Sequence, residues 1–354
     1  MEKIILSGCL PQQITEQLGL NQSFRGKQIF KWVSTGVTDF DSMTNLSLEL
    51  RQELKQKAVL RSSEIEKVLK DPDGTIKIVV KLQDGNNVET VLLTDKEGRK
   101  TACVSCQAGC AMKCAFCMTG TLGLARNLTA AEIVEQFLYM EQQAGKLDNI
   151  VFMGMGEPLQ NLAAIRQTIE ILCHKDGRAL SGKRITLSTC GIIKGIYDLA
   201  DNGPNIRLAV SLTTADEELR KELMPVARAP ENSLTELRKA IEYYAQKSGK
   251  RVTLEAALLK GKNTSAESAH NMINFARGLD VNINLIPWNP VPQLAFEEPD
   301  SNEVRAFVEK LEKAGLNVTL RTRRGRKIGG ACGQLGAVRH CENEGRGNPH
   351  KEKN

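Results

Sequence analysis

Residues 103–120 read CVSCQAGCAMKCAFCMTG and hold five of the chain's ten cysteines. Within them Cys110, Cys114 and Cys117 stand as C-x3-C-x2-C, which sets three thiolates on one tight loop. Three such thiolates can hold three irons of a [4Fe-4S] cube, and with no fourth cysteine in the pattern one iron stays open to a ligand. Structural zinc is the competing reading, because Cys103-x2-Cys106 and Cys114-x2-Cys117 are two C-x2-C pairs. Only seven residues separate those pairs, short for a zinc ribbon. The run TACVS at 101–105 reads as a strand, so the cysteine loop begins where a strand ends.

Further along the chain, apolar runs at 149–155, 184–189, 206–212, 252–259, 281–287 and 318–322 read as strands, with amphipathic stretches between them. Thr129 is placed to cap TAAEIVEQFLYMEQQAG, and Ser233 with Glu236 has capping-box spacing at the start of SLTELRKAIEYYAQKSG. Continuous apolar strands that each lead into a helix imply a parallel sheet with right-handed crossovers. The fold class is therefore α/β, a full or partial β/α barrel with its functional groups at the C-terminal ends of the strands. Residues 1–95 read differently. There the helical patterns PQQITEQLG, SFRGKQIFKWV and SLELRQELKQK precede TIKIVVKLQDGNNVETVLLTD, where Asp84 and Gly85 mark a hairpin turn. The expected division is a small N-terminal α+β domain at 1–95, a barrel core at 96–328, and a loop with a polar tail at 329–354. That tail, RHCENEGRGNPHKEKN, has a disordered composition.

The bulk numbers fit this picture. With 354 residues, 41% hydrophobic and 25% charged, the chain has the composition of a soluble globular protein. No apolar run reaches the roughly 18 residues of a membrane span, and the start MEKIILSGCL lacks the features of a signal peptide. The cytoplasm is the default location, where clustered cysteines point to metal or catalysis before disulfides. A net charge of +6 suits an anionic partner such as RNA. An aromatic content of 4% argues against a platform for stacking single-stranded bases. A phosphate-loop look-alike, Gly177-x4-Gly182-Lys183-Arg184, lacks the required Ser or Thr and precedes a strand, so its mechanism fails. No glycine-rich strand-to-helix turn of the Rossmann type is present.

The run IVFMGMGEP ends in Gly154-Met155-Gly156-Glu157-Pro158, where glycines admit a ligand to the backbone and oxygens can accept from an ammonium. Together with C-x3-C-x2-C this resembles the radical S-adenosylmethionine (SAM) superfamily. The resemblance implies a [4Fe-4S] cluster, one per chain, on Cys110, Cys114 and Cys117, whose open iron chelates SAM. It also implies reductive cleavage of SAM to a 5′-deoxyadenosyl radical. The segments FRGKQIFKWV, DFDSMTNLS, ACVSCQAGCAMKCAFC, MGMGEPLQN, VNINLIPWNP and ACGQL together resemble the RlmN branch of the RlmN/Cfr RNA methyltransferases over nearly the whole chain.

That resemblance implies methylation of adenosine carbon 2 in 23S rRNA and in tRNA, with an electron donor such as flavodoxin or ferredoxin. Matched residue by residue, Cys332 in GGACGQLG is the cysteine that carries the methyl group. Cys103 is the partner of its transient disulfide, and Glu89 in NVETV is the proton acceptor. Without the resemblance, a lone Glu on a strand reads as a solvated face. Gly156, Glu157, Ser188, Ser211, Leu212, Thr213 and Asn289 match the SAM site, each at or just after the end of an expected strand.

Two departures stand out: Thr213 replaces the usual His of Ser-Leu-His, and GRKIGGACG lacks the acidic residues common before ACGQL. Arg321, Arg323, Arg324, Arg326 and Lys327 form a cationic run just before Cys332. They can grip phosphates or form an ordinary solvated turn; Lys27 and Lys31 are a second candidate contact. Cys106 reads as dispensable or as a competing resolving thiol, Cys190 as packing near the barrel mouth, and Cys9, Cys173 and Cys341 as incidental. The alternatives are a Cfr-like carbon-8 methyltransferase, which Pro287-Trp288-Asn289-Pro290 and Glu157-Pro158 disfavour, and a non-catalytic zinc-stabilised RNA-binding protein.

Overall fold

The computed structural model describes residues 3–336; the polar tail, with Cys341, lies outside the described residues. Ten strands form one sheet: β1 Glu64–Lys70, β2 Ile76–Lys81, β3 Asn87–Thr94, β4 Lys100–Cys103, β5 Asn149–Phe152, β6 Ile185–Thr189, β7 Arg207–Ser211, β8 Val252–Leu258, β9 Val281–Pro287 and β10 Asn317–Leu320. Their spatial order follows the chain from β1 to β10. β4 through β10 pair in parallel, while β1 to β4 pair antiparallel. β1 and β10 are the two edges, so the barrel is partial.

Helices Ala130–Ala144, Leu162–Cys173, Ile193–Asn202, Leu234–Ser248, Ala266–Ala276 and Ser301–Lys313 fall between successive parallel strands, as crossover connections require. Thr129 caps the first of them in a full capping box with Glu132. Ser233 caps Leu234–Ser248 through the Glu236 N–H at 3.4 Å. The reciprocal half does not form: the Ser233 N–H goes to the Pro230 carbonyl at 3.3 Å, and Glu236 pairs with Lys239 at 2.7 Å.

Helices Pro11–Gln17, Ser23–Ser34 and Leu48–Lys57 appear as the N-terminal patterns predict. Asp84 and Gly85 form the β2–β3 turn, with Gly85 at φ +79 and Asp84 Oδ1 accepting the Asn86 N–H at 3.0 Å. Strands β1 to β3 extend the barrel sheet directly, and one hydrophobic core runs from Leu6 through Val80 to Leu311. A buried carboxylate also joins these regions: Glu135 accepts from Ser7 Oγ at 2.6 Å and from the Ser62 and Ser63 N–H groups at 2.7 and 2.9 Å. No helix among the described residues is long and apolar enough to cross a membrane.

Strand β9 matches its predicted span, but β5 stops at Phe152, three residues before its apolar run ends. Residues 153–156 turn instead onto the segment after β4. Gly154 donates to the Val104 carbonyl at 3.0 Å, and the Met155 carbonyl accepts from Cys106 and Gln107 at 2.9 and 3.2 Å. The first two βα loops are thereby laced together at the barrel mouth.

Candidate active site at the barrel mouth

One cavity opens at the C-terminal ends of the parallel strands. Cys110, Cys114 and Cys117 all line it and are half-buried. Their loop is tightly folded: the Cys110 N–H donates to the Gly123 carbonyl at 2.8 Å, and the Cys117 N–H to the Cys114 carbonyl at 3.1 Å. A side chain at Gly120 would meet the Cys114 backbone at 2.9 Å, so the loop closes only around glycine.

The donor set fits a polynuclear cluster. Burial pushes the Cys110 thiol up to about 12, with Cys117 adding to the effect. Burial and then the other two cysteines raise Cys114 as well. Three thiolates that repel one another this way need a compensating cation. Yet among the described residues no three Cys, His, Asp or Glu side chains converge closely enough for a single metal ion. Three corners of a cube require wider separation than the one point of a zinc site.

Arg220 adds a second mark of fit. It is fully buried, and its Nε and Nη2 donate to the Leu212 and Cys190 carbonyls at 3.3 and 2.9 Å. Its Nη1 has no partner, and it takes part in no ion pair among the described residues. A buried, unpaired guanidinium is costly. Its helix, Glu217–Leu223, holds the cysteine loop through Ala115 N–H to the Leu223 carbonyl at 2.9 Å. A cation there suits an anionic cluster on Cys114.

The second loop supplies the glycine-glutamate turn. Gly154 has the Val104 backbone 2.7 Å from where a Cβ would sit, and Gly156, at φ +105, has the Gln107 backbone N at 2.9 Å. Only glycine fits either place. Glu157 is buried, with Oε1 accepting the Leu159 N–H and Oε2 the Cys190 N–H, at 2.9 and 2.8 Å. Its carboxylate thus joins the ends of β5 and β6 and keeps lone pairs for a ligand. Burial raises its pKa despite these bonds.

Gly156, Glu157, Ser188, Ser211, Thr213 and Asn289 all line the cavity. Leu212 does not: its side chain is in the core, and its carbonyl takes the Arg220 bond. Asn289 Nδ2 donates to the Cys332 carbonyl at 3.2 Å, while its buried Oδ1 has no protein donor. An acceptor left over in this way is a further mark of a ligand site.

Thr213, the departure from His, is held at φ +60 by its N–H to the Glu255 carbonyl at 3.0 Å and by Asn263 on its own carbonyl at 2.8 Å. A β-branched residue in the left-handed region is strained by roughly 1–3 kcal/mol. Asparagine tolerates that region, and the side chain faces a cavity with room for it. Thr213→Asn is therefore expected to raise the thermal unfolding midpoint by a stabilisation of about 1 kcal/mol. A midpoint at or below that of the parent protein would show that the strain is already relieved by the Thr contacts.

Cys332 opens to the same cavity from a loop that follows β10. Desolvation and then Glu255 raise its thiol pKa, with Arg321 opposing. Cys103, at the end of β4, is buried, and its thiol pKa is raised by burial first and then by the charge of Cys332. Glu89 is far from the solvated face a lone strand Glu suggests. It is almost fully buried, pairs with Lys77 at 3.3 Å and accepts the Gly336 N–H at 3.2 Å.

Cys106 lies in the core outside the cavity, while Cys190 lines it beside Glu157. Sequence reasoning missed Glu255, which accepts from Ser188 Oγ at 3.1 Å inside the cavity, as well as Arg220 and Lys77. Glu255 and Lys77 are charges within otherwise apolar strand patterns, VTLEAAL and IKIVVK, whereas Arg220 sits in the charged helix EELRKEL and gave no signal. The cationic run is divided. Arg321 lines the cavity, Arg323 and Arg326 both pair with Glu298, and the Arg324 Nη1 donates to the Asp73 carbonyl at 3.3 Å. Lys27 and Lys31 are exposed on helix Ser23–Ser34.

Three thiols on the first loop of an open parallel barrel, sharing one cavity with the Glu157 turn and the unpartnered Asn289 oxygen, form the layout of radical SAM enzymes as a class. Residues 104–273 match the model of the radical SAM superfamily, and residues 12–60 that of the ribosomal RNA large subunit methyltransferase N-terminal domain. A protein of Treponema denticola named "Probable dual-specificity RNA methyltransferase RlmN" is 60% identical, over 95% of this chain and 96% of its own. One of Treponema pallidum with the same name is 54% identical, over 94% and 97%. The crystal structure of a radical SAM methyltransferase from Sphaerobacter thermophilus superposes with a TM-score of 0.90 at 38% identity, covering 94% of this chain and 99% of that one. The chain belongs to the RlmN family of radical SAM methyltransferases, whose cofactors are a [4Fe-4S] cluster and SAM.

Proposed function

We propose that this chain methylates carbon 2 of adenosine in 23S rRNA and in tRNA, through a methylated Cys332 and a transient Cys103–Cys332 disulfide. The observation that carries the reading is the placing of Cys332, which opens into the cavity lined by Cys110, Cys114 and Cys117; Cys103, buried at the end of β4, is near enough to feel its charge. Relatives named as dual-specificity RNA methyltransferases support RNA as the substrate.

Cys110, Cys114 and Cys117 hold the cluster, which when bound supplies the electron that cleaves SAM to a 5′-deoxyadenosyl radical. Gly156, Glu157, Ser188, Ser211, Thr213 and Asn289 hold SAM, and Leu212 contributes through its backbone. Cys332 first takes a methyl group from SAM, with S-adenosylhomocysteine as the leaving group, and then, once the 5′-deoxyadenosyl radical has taken a hydrogen atom from that methyl, carries the carbon that joins adenine. Glu89 accepts the proton from carbon 2 as the radical adduct gives up one electron, for which the cluster oxidised in SAM cleavage would be the acceptor. Cys103 attacks the Cys332 sulfur, and the sulfur–carbon bond breaks with its electron pair on the carbon, which is protonated to a methyl group. Arg321 contacts the RNA backbone. The electron donor is a flavodoxin or ferredoxin, and the protein works in the cytoplasm, where the disulfide is reduced again.

Nucleoside mass spectrometry of rRNA and tRNA from cells with and without the protein tests this reading. Loss of 2-methyladenosine from both pools is the expected result. Loss of 8-methyladenosine would favour the carbon-8 alternative, and no change in either nucleoside would overturn the assignment.

A further inference from the structure

The segment between Gly329 and Gly336 carries Cys332, and both of its ends meet one buried ion pair. Lys77 Nζ donates to the Gly329 carbonyl at 3.2 Å and to Glu89 Oε2 at 3.3 Å. The same Glu89 oxygen accepts the Gly336 N–H at 3.2 Å. Both side chains are only 2–3% exposed. The pair follows from sheet register: Glu89 on β3 faces Val79 on β2, and Lys77 is the next residue on that face. Gly329 and Gly336 both have positive φ, +60 and +103, so the segment is hinged on residues suited to it. Between the hinges it rests on the cluster loop, through Met118 N–H to the Gly333 carbonyl at 2.8 Å and Thr119 Oγ1 to the Leu335 carbonyl at 2.7 Å.

A buried Lys–Glu pair does little for net stability and is better explained by what it fixes in place. Here each partner spends a bond on one end of the Cys332 segment, and Glu89 Oε1, buried and without a partner, is left free. We propose that Lys77 is a positioning residue that, with Glu89, clamps both ends of the Cys332 segment so that its thiol faces the cavity. This rests on the reading of Cys332 as the methyl carrier. Without Lys77, Gly329 is untied and Glu89 loses the cation that holds its Oε2 beside Gly336. The thiol then swings more freely, while the loop of Cys110, Cys114 and Cys117 keeps its bonds to the Gly123 and Leu223 carbonyls, which Lys77 does not touch.

Hydrogen–deuterium exchange over residues 329–336 of the cluster-loaded protein, read beside reaction assays, tests the clamp. Lys77→Met is expected to speed exchange there at least tenfold with unchanged iron content. It is also expected to keep SAM-dependent methylation of Cys332 within about threefold while lowering methyl transfer to RNA tenfold or more. Lys77→Arg, which keeps charge and donors, is expected to restore both exchange and transfer to near the parent level. Should Lys77→Met fold poorly because Glu89 is left charged and unpaired, the Lys77→Met/Glu89→Gln protein removes that charge and is expected to show the same fast exchange. Unchanged exchange in these variants, or a Lys77→Arg protein no better than Lys77→Met, would overturn the clamp. A parent protein that never methylates Cys332 would instead overturn the methyl-carrier reading, an outcome separable from the exchange result.

Discussion

Replacing Cys103 by alanine is expected to stop the enzyme with its RNA covalently attached. In the proposed sequence Cys103 has one task, attack on the Cys332 sulfur to release methylated adenine. The steps before it use Cys332, the cluster and SAM, and Cys103 is not among the residues that line the cavity proposed to hold them. Cys103 is a small buried side chain at the end of β4, and loss of its sulfur costs about 1 kcal/mol, too little to unfold the barrel. Denaturing gel electrophoresis after reaction with RNA should then show a slower band sensitive to ribonuclease. Cys332→Ala is the control: it should give neither the band nor methylated RNA, because it removes the atom to which RNA is joined. A Cys103→Ala protein that turns over normally would show that another thiol resolves the adduct. Cys106 is the less suited thiol, because the charges near it are those of Glu157 and Cys110 and not that of Cys332.

The second large effect concerns the cluster. Alanine at Cys110, Cys114 or Cys117 is expected to abolish incorporation of a stable [4Fe-4S] cluster and to reduce methylation more than the ~100-fold typical of losing an outer-shell partner. Each cysteine sits on a loop fixed independently of any metal, by Gly123, Leu223 and Gly333 carbonyls, so the apoprotein should remain folded. Iron and sulfide analysis with electron paramagnetic resonance of the reduced protein reads the result. Cys106→Ala is the matching test of selectivity and should keep full iron content. An anaerobic preparation of the parent protein holding zinc without iron or sulfide would refute the cluster assignment.

Much of the architecture was legible before the structure. Strands buried on both faces read as unbroken apolar runs, which is why the seven parallel strands stand within a few residues of their predicted places. The errors have specific causes. The run 149–155 looks like one strand because Met155 is as buried as Phe152, but its last residues are buried by the neighbouring loop and not by the sheet. Ser233 and Glu236 have the right spacing for a capping box, yet spacing cannot foresee that the Pro230 carbonyl takes the Ser233 N–H. The cationic run looked uniform, and only folding revealed Glu298 beneath Arg323 and Arg326.

The sequence by itself determined what depends on local spacing: the three-cysteine loop, the glycine-glutamate turn after the next strand, and the order of elements that builds a parallel barrel. These are short-range patterns, set by reach along the chain and by the period of a strand or helix. The tertiary structure alone decided which distant groups share a volume. It brought Cys332 to the cavity lined by Cys110, Cys114 and Cys117, within electrostatic reach of the buried Cys103. It placed the unpaired Arg220 against the cluster loop and set Glu89 with Lys77 under the segment that carries Cys332. Burial and charge pairing at such separations are properties of packing, and so a glutamate that reads as solvated in NVETV becomes half of a buried clamp once β2 and β3 are in register.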